Sequence, residues 1–146
     1  MPSKPALCLL LPAALMAADP AAAPRLRTEA EARALVERCL KQFVSEDYKA
    51  GLDLLKPFWK VSLNEINTLT MQTITTRAAV KERFGASIGY EIISQQRAGS
   101  SFLRFVAVEK LQNTAIRYSV VFYKAVDTWE LQTFVWDDKV QLLFGE

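Results

Sequence analysis

Apolar positions recur at intervals of three and four through the first half of the chain and alternate with polar ones through the second. The sequence therefore predicts helices followed by strands. Ala32, Leu35, Val36, Cys39, Leu40 and Phe43 mark one face of a first helix. Thr28 and Glu31 open it as a capping box, in which hydroxyl and carboxylate each satisfy a free backbone N–H. Glu29, Arg33, Glu37 and Lys41 recur every four residues on the other side, a solvated ladder of opposite charges rather than a site. Ser45 is placed to cap a second helix, with Glu46 and Asp47 in its first turn and Tyr48, Leu52 and Leu55 along one side; Pro57 stops it. Phe58 and Trp59 follow in a short connection. They are expected to cover the end of the core, the other reading being an exposed anchor for a partner.

Ser62 and Glu65 repeat the capping box and open a third helix from about Leu63 to Arg83. Its middle, TLTMQTITT, is rich in threonine and keeps only a broken apolar stripe, so the face it buries must be narrow or partly polar. Hydroxyls that compete for backbone carbonyls favour a bend or division near Thr75 and Thr76, and Gly85 is placed for a left-handed cap.

From Tyr90 onward the chain carries ten of its fifteen aromatic residues beside a concentration of Val and Ile, both strand signals. Alternation sets Phe102, Arg104, Val106 and Val108 on one face of a strand and Leu103, Phe105, Ala107 and Glu109 on the other. The next divides into Ile116, Tyr118, Val120, Phe122 and Arg117, Ser119, Val121, Tyr123. Neither face is purely polar, so the sheet needs cover on both sides: helices on one, and a ligand, a partner subunit or chain ends on the other. Short turns around Gly99, Asn113 and Asp127, and at Asp137 and Asp138, force antiparallel neighbours. The fold class is α+β, with N-terminal helices packed on a curved antiparallel sheet.

With 146 residues, 51% of them hydrophobic, the chain is long enough for one sizeable core and short for two. Its 18 basic and 16 acidic residues are scattered singly, which gives no footprint for nucleic acid or an anionic membrane. There is no histidine. That removes imidazole triads, most catalytic zinc sites and the commonest general acid/base near neutral pH. No cofactor or metal motif is present, and carboxylate, tyrosine or lysine chemistry is what remains to an enzyme.

The opening MPSKPALCLLLPAALMAADPAAAP has Lys4 as a positive start, an apolar run from Ala6 to about Ala17, and small residues after it. This is the pattern of a secretory signal peptide, residues 1–18, followed by a linker over 19–27 and a domain over 28–146. A membrane anchor is the competing reading, but the run is short for a span of about 20 residues and holds Pro12. The pattern implies an exported protein with no membrane span in its mature form. Cleavage also removes Cys8 and leaves Cys39 alone on the apolar stripe of the first helix, where it is expected to be a buried hydrophobe rather than a redox thiol.

Three helices, then GASIGYEI leading into a long antiparallel sheet with TWELQTFVW near the end, resemble the NTF2-like, or cystatin-like, cone superfamily. The phrase DYKAGLDLL closing a capped helix pair is similar to one found in small exported bacterial members, for which the compartment is the periplasm. The resemblance covers about Thr28 to Phe144. It implies a cone with an apolar pocket at its mouth, used by some members for isomerisation, dehydration or cyclisation and by others for binding alone, and pairing of many members as dimers. Catalytic members usually place Asp with His or Tyr in the pocket. This chain lacks the His, and its strand carboxylates Glu91, Glu109 and Glu130 have no obvious mate.

Two function classes follow. The first is a noncatalytic exported module, expected as a homodimer, whose pocket or sheet face takes an apolar molecule or a protein. Its candidate residues are Arg104 and Tyr118, polar groups mid-strand among apolar neighbours, with Trp129 and Trp136 lining a mouth. The bland alternatives are an Arg104 stem lying on the sheet, a Tyr118 ring filling core, and tryptophans that only pack. The second is an isomerase or dehydratase with Tyr118 or Tyr123 as hydrogen-bond donor and a glutamate such as Glu130 as base, which requires both in one cavity with the carboxylate buried. An accessory subunit of an envelope assembly is a third reading, marked by a large exposed apolar sheet face.

Overall fold

The computed structural model describes residues 23–145, so the signal segment and residues 19–22 of the linker lie outside the described residues. Three helices, α1 (Glu29–Val44), α2 (Tyr48–Leu55) and α3 (Leu63–Phe84), precede four strands, β1 (Ser87–Ala98), β2 (Phe102–Leu111), β3 (Ala115–Lys124) and β4 (Trp129–Asp137). The strands form one antiparallel meander in the order β1-β2-β3-β4. The fold is α+β.

Local chemistry sets the helix ends. Both capping boxes form: the Glu31 amide donates to the Thr28 hydroxyl at 3.1 Å, and the Glu65 amide to that of Ser62 at 3.2 Å. All six residues of the α1 stripe are buried. The start of α2 differs from expectation. Ser45 closes α1, and Asp47 caps α2 by accepting from the Ala50 amide at 3.0 Å, because Glu46 turns the chain at φ +63° between them. Helix α3 runs undivided through Thr75 and Thr76, whose side chains face solvent. Gly85 ends it at φ +89° but with ψ extended to 179°, a positive-φ conformation that glycine favours and that differs from the left-handed cap expected.

The inner sheet face carries Leu103, Phe105, Tyr118, Val120 and Phe122 against α1 and α2, all at most 1% exposed. The packed unit starts before Thr28: Leu26 is buried, and its carbonyl accepts from the Trp129 amide at 2.7 Å. Phe58 and Trp59, half-buried, pack onto the core, with the Trp59 ring edge-on to Phe134 at 6.4 Å. Chain ends supply the second cover. A short 3-10 segment, Val140–Phe144, crosses the outer face, where Val106 and Val108 are buried.

Candidate functional site

The threonine-rich middle of α3 buries Ile66, Thr70, Thr73 and Arg77, spaced four, three and four, which is one face of a helix. Thr70 spends its hydroxyl on the Ile66 carbonyl at 2.8 Å. The Thr73 hydroxyl is buried without a protein partner. Arg77 extends beneath the helix to the inner sheet face, where β2 alternation places Glu109 and β3 alternation places Tyr118.

These three side chains close a triangle. Arg77 donates through Nη1 to the Tyr118 phenol oxygen at 2.9 Å and through Nη2 to Glu109 Oε1 at 2.6 Å; Tyr118 donates to Glu109 Oε2 at 2.6 Å. Side-chain exposure is 2% for Arg77 and 0% for Glu109. Phe43 and Phe134 lie against the Tyr118 ring at 5.6 and 5.9 Å. The guanidinium carbon stands 5.1 Å from the centre of the Tyr48 ring and 5.6 Å from that of Trp136, so two aromatic rings flank the charge.

Burial dominates the protonation of this cluster. It pushes the Tyr118 phenol well above its ordinary value, and the neighbouring Glu109 charge pushes the same way. Burial also raises the Tyr48 phenol. For Arg77 burial opposes the charge, but the hydrogen bond and charge of Glu109 outweigh it and the guanidinium stays protonated. With both Glu109 oxygens engaged, the triangle presents hydrogen-bond donors and no free base.

Two grooves open on the flanks of α3. One, of about 330 Å³, is lined by Tyr48, Ile74, Arg77 and Ala78 with Glu46 and Lys81 at its rim. The other, of about 290 Å³, is lined by Leu69, Gln72, Thr73, Thr76, Phe134 and Trp136. Arg77 and its two aromatic neighbours stand between them.

Of the four candidate residues, the structure brings together Tyr118 and Trp136. Arg104 lies exposed on the opposite face of the sheet, where Nε and Nη2 both donate to Gln96 Oε1 at 2.8 and 2.6 Å. Trp129 is buried near Leu26 at the far end, under the Lys124 ammonium at 4.7 Å, and borders a separate groove with Arg25, Phe58 and Lys60. Glu130 and Tyr123 are cross-strand partners, but Glu130 is 41% exposed beside Lys60 at 3.8 Å and is not the buried base expected of it; the buried carboxylate that meets a phenol is Glu109, against Tyr118. Sequence reasoning missed Arg77 and left Glu109 without the mates it has, Arg77 and Tyr118. The signal was present: Glu109 alternates with Leu103, Phe105 and Ala107, and a carboxylate on that face demands a cation.

Among the described residues no cluster of metal-ligating side chains occurs, and no helix is long and apolar enough to cross a membrane. Comparison of the chain with known protein families, with curated proteins and with solved structures finds no match.

Proposed function

We propose that this protein is an exported, noncatalytic binding module that holds a small apolar molecule bearing an anionic or acceptor group beneath α3. The observation that carries the reading is the position of Arg77, a buried cation between two aromatic walls with a groove on either side. A guanidinium has five N–H donors, and the triangle uses two of them. Arg77 is among the residues lining the Tyr48 groove, so an acceptor seated there addresses an N–H at the edge of the buried guanidinium, while Tyr48, Ile74 and Ala78 supply apolar contact. A phenol held neutral and a guanidinium that keeps its charge orient a ligand well and exchange protons poorly near neutral pH, which favours binding over acid/base catalysis.

The test is titration with 1-anilinonaphthalene-8-sulfonate, an apolar aromatic anion, followed by fluorescence, alongside native mass spectrometry of the protein as purified. Saturable binding at one site is expected. Ala78→Trp fills the Tyr48 groove from an exposed position on α3 that the fold does not depend on. Loss of binding in this variant supports the reading; unaltered binding, or none in the parent protein, sinks it.

A further inference from the structure

The turn after β4 folds the chain back over the outer sheet face. Asp137 accepts from Arg117 Nε and Nη2 at 3.0 and 2.6 Å and from the Lys139 amide at 3.0 Å, and the strap that follows lays Leu142 and Leu143 half-buried against the strands. A small cavity of about 50 Å³ lies beneath it. Val106 lines this space from the sheet and the two leucines from the strap, while Ser94, Gln96, Arg104 and Arg117 supply its polar groups. Among the described residues no carboxylate lines it.

The arginines of this face differ in how their charge is met. Arg117, with 12% of its side chain exposed, is paired with Asp137, and Arg97 on the neighbouring strand is paired with Glu29 at 2.8 Å. Arg104 has no such partner among the described residues. Its Nε and Nη2 both donate to the neutral Gln96 Oε1, and at the root of the strap Asp138 and Lys139 offset one another. The cavity therefore keeps the uncompensated charge of Arg104. Nη1 of Arg104 and Nη1 of Arg117 each have no protein acceptor among the described residues.

We propose that the cavity under the strap is a binding site for a small tetrahedral oxyanion, inorganic phosphate being its simplest form, held between Arg104 and Arg117. Planar guanidinium forks match the oxygen edges of such an ion, and the Ser94 hydroxyl can donate to it or accept from it. Size selects the ligand. A water needs about 10–15 Å³ of such space, so this cavity takes a few waters or one small ion and leaves no room for a nucleotide or a lipid headgroup. The strap holds bulk water off, which strengthens the attraction of both guanidiniums for an anion. The site lies across the sheet from Arg77 and stands on separate observations.

Isothermal titration calorimetry with inorganic phosphate in low-salt buffer tests this, with chloride at matched ionic strength as the control for screening. One phosphate per chain is expected. Arg104→Gln removes the uncompensated charge at an exposed position and should weaken binding at least about tenfold, the scale of one charge-assisted hydrogen bond. Ala78→Trp, in the Tyr48 groove, should leave phosphate binding unchanged. No saturable binding by the parent chain, the same heats with chloride, or binding that Arg104→Gln leaves intact would each overturn the inference. Binding that Ala78→Trp abolishes would overturn it as well, by placing the anion at Arg77.

Discussion

Arg77 on α3 and Glu109 on β2, 32 residues apart in the chain, meet at 2.6 Å in a site closed to solvent. Such a pair is costly to break and inexpensive to replace. Removing one partner leaves a buried charge without compensation, about 3–5 kcal/mol, whereas well-packed apolar residues in place of both are often neutral or stabilising. Arg77→Met and Glu109→Leu should each lower the urea midpoint sharply. The triple variant that adds Tyr118→Phe, so that no phenol is left without an acceptor, should recover most of the loss. Additive losses in the triple variant would show that the charges do not act as a unit.

Tyr118 sets the alkaline limit. Its native value is raised above the ordinary 10.0 by burial, with the Glu109 charge adding to it. In the unfolded chain the phenol ionises near that ordinary value, while the native state keeps its proton. The unfolded state then binds fewer protons, so stability is full below pH 10 and falls as pH rises toward the native value. Absorbance at 295 nm should show Tyr118 ionising only together with unfolding, and that step should lose one phenol in Tyr118→Phe, leaving only what the raised Tyr48 phenol contributes. Four tyrosines titrating together in the folded protein would contradict the burial.

The periodic elements were legible because a helix stripe and a strand alternation need only the residue types along the chain. The α1 face, both capping boxes and the four strands follow from local pattern. Asp47 was misplaced because a positive-φ turn at Glu46 moves the cap by two residues, and nothing in the residue types around Ser45 marks that turn. The site was harder to see. Tyr118 stands out as a polar group in an apolar strand, yet its partners come from another strand and from a helix 41 residues earlier, a pairing that only tertiary packing creates. Arg104 drew attention for the same reason as Tyr118, but two strands that are apolar on both faces do not reveal which face turns inward.

Cys39 offers a probe of the same core. Burial pushes its thiol up to about 12, and it sits at 1% exposure on the α1 stripe. At pH 8 the thiolate is then on the order of one part in ten thousand, and no reagent reaches it in the native fold. Reaction with a disulfide reagent should occur only at the rate of unfolding and should accelerate with urea in parallel with loss of structure. A fast, urea-independent reaction would place the sulfur at the surface.

Gly51 gives the most local prediction. On helix propensity alone, Ala in place of this residue of α2 should stabilise by about 1 kcal/mol. Packing reverses the sign. A Cβ at position 51 would lie 2.7 Å from Phe43 Cδ2 and 2.8 Å from Cε2, inside van der Waals contact. The Phe43 ring cannot withdraw, because it is fully buried and packed edge-on against Tyr48, Tyr118 and Phe134 at 5.2, 5.6 and 5.7 Å. Overpacking of this kind costs about 1–3 kcal/mol, more than the propensity gain. Gly51→Ala should therefore lower the urea midpoint, and because Phe43 leans on Tyr118, it should also perturb the near-ultraviolet tyrosine signal. A raised midpoint with an unchanged spectrum would mean that the ring yields freely and that the contact between α1 and α2 does not brace the Arg77 site.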